Sequence, residues 1–229
     1  MDIEKNIKSF MQGFNEKDNG RSPNERYASF DYCFNYFQSF KEKNNIEEIS
    51  NNDNVENSCL QLSFYLASWG MFRGSSYLLS KSIKYFEPLV KNISRFNNTI
   101  WEIDVDRYNN DKNLDLLIEC KKMIYGSFNN WTGASDTLIS KIMLGVFGNI
   151  PAFDNYFAKG FNMYSLCKRN LRKIYDFYII EENNRVIDKY CNTIYTIEFK
   201  SSRPTSYTYT RAKIIDMIGF VEGYNKDKR

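Results

Sequence analysis

The chain of 229 residues contains no histidine. That absence excludes Ser-His-Asp and Cys-His catalysis, histidine-ligated zinc and histidine general bases, so any chemistry must run on carboxylates, Lys, Tyr, Ser/Thr or Cys. Proline is scarce, with four in the chain, and no apolar run approaches the length of a membrane span. The five cysteines, Cys33, Cys59, Cys120, Cys167 and Cys191, are scattered, with no C-x-x-C pair among them. Such spacing suggests reduced, structural thiols and neither a disulfide framework nor a metal site. With an N-terminus, "MDIEKNIKSF", that is charged from its second residue, the expectation is a cytoplasmic protein without membrane, metal or cofactor.

Rings, by contrast, are abundant. There are 17 Tyr and 18 Phe, and apolar residues make up 42% of the chain, a globular composition with enough length for one core. The formal charge of +3 is mildly basic, compatible with a polyanionic partner without announcing one.

Apolar residues recur at helical spacing through most of the chain, which predicts a mainly α single domain over residues 1–229. In "NERYASFDYCFNYFQSF", Tyr27, Phe30, Phe34 and Phe37 stack on one helical face. "KEKNNIEEISNNDNVEN" is polar and aperiodic, a loop. "SCLQLSFYLASWGMFRGSSYLLSKSI" reads as a central buried helix bent at Gly70, and "EPLVKNISRFNNTIWEI" and "NLDLLIECKKMIYGSF" as two more. "NMYSLCKRNLRKIYDFYIIEENNRVIDKY" is one long amphipathic stretch, residues 193–209 hold the minor β-structure, and "TRAKIIDMIGFVEGY" closes the chain as a helix.

The segment "WTGASDTLISKIMLGVFGNIPAFDNYF" carries the most chemistry. Gly133 can take positive φ in a tight turn, and Ser135 or Thr132 can cap the helix that follows; the helix start leaves unpaired N–H groups suited to a phosphate. The helix ends near Gly148, and Pro151 precedes a new start that puts Asp154 in the first turn of the next helix. Asp154 is then either a catalytic carboxylate or an acid favoured by the helix dipole.

These residues resemble the helix-hairpin-helix DNA glycosylases, of which endonuclease III is the familiar member. The family's L-P-G-V-G-x-K-T-A hairpin, A-F-G break and V-D-x-x-[IV] segment are similar to "WTGASDTLI", "VFG" and "AFDNYF". The resemblance implies that Gly133 and Ser135 belong to a DNA-binding hairpin and that Asp154 falls at the catalytic aspartate. The family's proline, second glycine and Schiff-base lysine are Thr132, Ser135 and Thr137 here, and no four-cysteine cluster follows. It therefore implies a monofunctional enzyme without an iron–sulfur cluster, acting in DNA repair on a modified base. Lys141, one turn after Thr137, stands in for the missing lysine or is a solvated or phosphate-contacting helix lysine.

Other residues leave two readings open. Trp69 and Arg73 line a base pocket or meet a phosphate, or else are a core Trp and a paired Arg. Lys168, Arg169, Arg172 and Lys173 in "CKRNLRK" are nucleic-acid contacts or an ordinary solvated face, and Arg203, Arg211 and Lys213 beside Tyr207 and Tyr209 are nucleic-acid contacts or part of a simple β-like turn with exposed hydroxyls. Beside the glycosylase stand two alternatives: a non-catalytic DNA-binding protein of the same kind, and a helical interaction module whose exposed rings form a homodimer interface.

Overall fold

The computed structural model describes residues 1–13, 19–128 and 134–228. Among them are ten α-helices, several short 3-10 helices and one two-stranded sheet. The helices are α1 (Ile3–Gln12), α2 (Ala28–Glu42), α3 (Val55–Ser68), α4 (Glu87–Arg95), α5 (Asp111–Gly126), α6 (Asp136–Phe147), α7 (Asn155–Phe161), α8 (Lys168–Tyr178), α9 (Glu181–Cys191) and α10 (Arg211–Asp227). The chain is mainly α, as its periodicity predicts, and one continuous apolar core runs from Ile7 in α1 to Val221 in α10.

At the centre lies α6. Every residue from Leu138 to Phe147 is buried, so this helix has no solvated face and the Leu138, Ile142, Val146 stripe is only one of its contacts. Its ends are written locally. Ser135 Oγ accepts from the Leu138 amide at 3.2 Å, and Gly148 closes the helix with φ 68°, a left-handed conformation that costs glycine little. The α2 rings Tyr27, Phe30, Phe34 and Phe37 are buried as their spacing predicts.

Helices α7 and α10 cross with backbone touching backbone. A Cβ on Gly223 would lie 1.8 Å from the Tyr156 carbonyl oxygen, so only glycine permits this approach. The crossing holds the start of α7 against the buried face of α10.

Strands β1 (Tyr195–Ile197) and β2 (Pro204–Thr208) form an antiparallel hairpin, with Tyr195 opposite Thr208 and Ile197 opposite Pro204. It is pinned to α2 by Asp31, which accepts from the Ile197 amide at 2.9 Å and the Tyr209 hydroxyl at 2.6 Å and pairs with Arg21 at 3.2 Å.

Three expectations need correction. The supposed loop after α2 contains a 3-10 helix, Ile46–Ser50, whose Ile46 and Ile49 are buried; two apolar residues three apart suffice to dock a single turn. Helix α3 does not bend at Gly70 but ends at Trp69, and the chain leaves through Gly70 at φ +80°. The long amphipathic stretch is two helices, α8 and α9, separated at Ile179 and Ile180, both exposed. No helix of the described residues is long and apolar enough to cross a membrane. All five cysteines are free thiols, four of them buried.

Candidate functional site

Asp154 is the N-cap of α7. Its Oδ1 accepts from the Phe157 amide at 3.0 Å, while Oδ2 lies 3.6 Å from the Lys141 ammonium. The extended segment leading to it is stitched down on both sides. Thr137 Oγ1 donates to the Phe153 carbonyl at 2.8 Å, the Phe153 amide donates to Ser140 Oγ at 2.8 Å, and the Ala152 amide donates to Asp216 Oδ1 at 3.1 Å. Helix α6 on one side and α10 on the other thus set the position of the carboxylate.

Lys141 projects from α6 and is buried, so it is not the solvated helix lysine that was one of its two readings. Its Nζ donates to the Trp69 carbonyl at 2.8 Å, an orphan acceptor at the end of α3. Burial pushes its pKa below the usual lysine value, and the Arg73 guanidinium pushes the same way; Asp154 and Asp216 oppose both.

A second pair lies behind the first. Lys213 Nζ and Asp216 Oδ2 are 2.9 Å apart on α10, and the ammonium sits 4.9, 4.6 and 5.1 Å from the ring centres of Phe10, Phe30 and Trp69. Burial raises the Asp216 pKa, and Lys213 partly offsets the rise. With Lys213 1% exposed, its expected role in contacting nucleic acid at the surface is overturned: α10 turns it inward to neutralise Asp216. Tyr209 is likewise buried.

Tyr65, Trp69, Leu144, Ala152 and Phe220 complete the wall around both pairs, leaving about 10 Å³ for the centre of a water molecule, room for one. The Trp69 indole is packed among Phe10, Tyr27 and Phe220, and its Nε1 donor is buried with no acceptor among the described residues. The arrangement can hold a water molecule beside a carboxylate and an ammonium, the minimum for general acid–base work.

The structure brings Asp154, Lys141 and Trp69 together, with Arg73 at their edge. Ser135 caps α6, and the adjacent Asp136 pairs with Lys121 at 2.6 Å and accepts from the Leu166 amide at 2.7 Å. The turn residues Trp131, Thr132 and Gly133 lie outside the described residues. None of the five candidate arginines, Arg73 included, lines the cavity. Arg169 is exposed on α8, Arg172 pairs with Asp111, and Arg203 is exposed in the hairpin turn. Arg211 is spent on a junction, 2.9 Å from Asp188 and 3.7 Å from Asp104.

Tyr65 and Asp216 were missed in the sequence. A signal existed for Asp216: in "RAKIIDMIGF" two opposite charges three apart interrupt an otherwise apolar run. Among the described residues no group of three or more His, Cys, Asp or Glu side chains is arranged to hold a metal ion. Compared with known proteins, the chain matches no family model, no curated protein and no solved structure.

Proposed function

We propose that the chain is a DNA-binding, monofunctional glycosylase-like hydrolase in which Asp154 is the catalytic carboxylate. One observation carries the reading: Asp154 uses a single oxygen to cap α7, the other lies 3.6 Å from the Lys141 ammonium, and both residues line a cavity with room for one water molecule. Hydrolysis of an N-glycosidic bond breaks C1′–N and adds water oxygen to C1′. The carboxylate accepts the water proton or stabilises the positive charge that grows on the sugar, and the departing base takes up a proton. Lys141, held by Trp69 and Asp154, keeps the carboxylate in place; it is a positioning residue in this scheme.

A substrate base does not fit a cavity of this size. The wall of the cavity has to open before a flipped nucleotide reaches Asp154.

The test is release of free base from duplexes carrying modified bases, for wild type and Asp154→Asn. Asparagine preserves the cap acceptor but removes the counter-charge of Lys141, so a thermal melt checks that the variant is folded, and loss of release of more than about a hundredfold is expected for removal of the catalytic carboxylate. Full release by Asp154→Asn would sink the mechanism.

The closed cavity favours a second reading, a DNA-binding protein without catalysis, in which Asp154 serves only as a cap and as the counter-charge of Lys141. It expects DNA affinity that falls steeply with salt and is indifferent to Asp154→Asn.

A further inference from the structure

Between the end of α3 and the head of α6 lies an open cleft of about 400 Å³, within the range that small organic ligands occupy. One wall is the loop that follows Trp69. Gly70 opens this loop at φ +80°, and Ser76 fixes its course, donating from Oγ to the Met71 carbonyl at 2.6 Å and accepting from the Leu78 amide at 3.3 Å. The other wall is Ser135, held in place as the cap of α6, with Leu138 one turn on. Both walls are formed before any ligand arrives, which reduces the entropy lost on binding.

The lining is apolar and hydroxylic. Met71, Leu78 and Leu138 supply apolar surface, and Tyr77 adds a ring. Ser75 is exposed and makes no hydrogen bond among the described residues, and Ser135 Oγ accepts from the Leu138 amide but finds no acceptor there for its own proton. No charged side chain belongs to the lining. Arg73 packs against Gly70, and the Lys81 ammonium lies 4.2 Å from the Tyr77 ring centre, but neither is itself part of the wall.

A phosphate or carboxylate seated in this cleft would meet hydroxyls without a counter-charge, so the lining suits a neutral ligand with an apolar body and a polar edge. A nucleobase is such a ligand. Its faces pack between apolar or aromatic side chains, and serine hydroxyls, which both donate and accept, match either kind of group on its edge.

We propose that the cleft between the Gly70–Leu78 loop and the head of α6 binds the base of a nucleoside. It adjoins the buried cluster along the chain at two points, since Gly70 follows Trp69 and Leu138 lies one turn before Lys141 on α6. The site stands on the cleft alone and needs no chemistry at Asp154.

The full chain, with isotope-labelled methionine methyl groups, is titrated with adenosine and with thymidine, following heat and the methyl spectrum; glucose and thymidine monophosphate are the controls, and Met71→Leu assigns the Met71 signal. Ser75→Trp fills the cleft from an exposed loop position, and Ser135→Asp keeps the cap while placing a charge in the lining. Thermal melts check that both variants fold. Saturable binding of a nucleoside that moves the Met71 signal, and that either substitution weakens about tenfold, supports the site. No saturation by either nucleoside at millimolar concentration overturns it, as does saturation that leaves the Met71 signal in place or is unchanged in both variants. Equal binding of glucose, or binding of the monophosphate alone, also overturns it, because the base is then not what is recognised. A protein that binds nucleosides here but releases no base from duplexes keeps the cleft and loses the glycosylase; one that releases base and binds no nucleoside does the reverse.

Discussion

Asp104 and Asp154 both sit at helix starts, yet they are spent differently. Asp104 Oδ1 accepts from the Val105 and Ala212 amides at 2.8 and 2.9 Å, and Oδ2 from the Arg211 amide at 2.8 Å, with the Arg211 guanidinium alongside. One side chain thereby closes a 3-10 turn, Val105–Arg107, and the start of α10, and neither oxygen is left for anything else. Asp154 makes one such bond, and its second oxygen faces an ammonium and a cavity. A carboxylate whose oxygens are all used by backbone donors is architecture; one with an oxygen to spare, held beside a buried lysine, is available for chemistry.

The largest effect is expected where the cavity cluster is broken on one side. Lys213→Met leaves Asp216 buried without its counter-charge and should cost about 3–5 kcal/mol in urea unfolding. The double variant Lys213→Met with Asp216→Asn removes both charges while keeping an acceptor for the Ala152 amide, and should recover more than half of that loss. A double variant as unstable as the single one would mean that the lysine stem, not the charge pair, holds this region.

The direct comparison comes next. Asp104→Ala strips acceptors from three amides and should cost about 3 kcal/mol, whereas Asp154→Ala, made in a Lys141→Met background so that no buried ammonium is stranded, removes one cap bond and should cost about 1 kcal/mol, both read from denaturant midpoints. Equal losses would erase the distinction between the two acids.

A further effect is with pH. Burial raises the pKa of Asp31 and of Asp104 to about 6, against the pull of Arg21 and the Tyr209 hydroxyl on the first and of three amides on the second. In the unfolded chain both titrate near 3.9, so between about pH 4 and 6 the folded protein binds more protons. The stability these groups contribute is complete below about pH 4 and is lost as pH rises through about 6. Melting temperatures measured across that range should show it, and a contribution that instead grows with pH would show that pairing outweighs burial at both sites.

Local signals were legible and reached as far as the candidate acid. Ser135 and Gly148 mark the two ends of α6, and the Pro151 break anticipates a new helix start close by, with Asp154 as its N-cap and not in its first turn. These are bonds and conformations within three or four residues, which neighbouring letters specify. The ring spacing of α2 and the turn-rich hairpin were legible for the same reason. The end of α3 just before Gly70 was not, because a glycine in an apolar run reads equally as a bend or a stop until packing chooses.

What the amino-acid sequence determined by itself is therefore the mainly α class, the limits of α6 and the presence of an acid at the head of α7. Tertiary structure alone decided that Lys141 and Lys213 turn inward, that Trp69 caps a cavity instead of stacking in the open, and that Arg211 is consumed by Asp104 and Asp188. The reason is physical. Whether a charge faces water or a counter-charge depends on which distant residue offers a partner at a few ångströms, and the partners here, Lys141 with Trp69 and Ala152 with Asp216, lie many turns of chain apart.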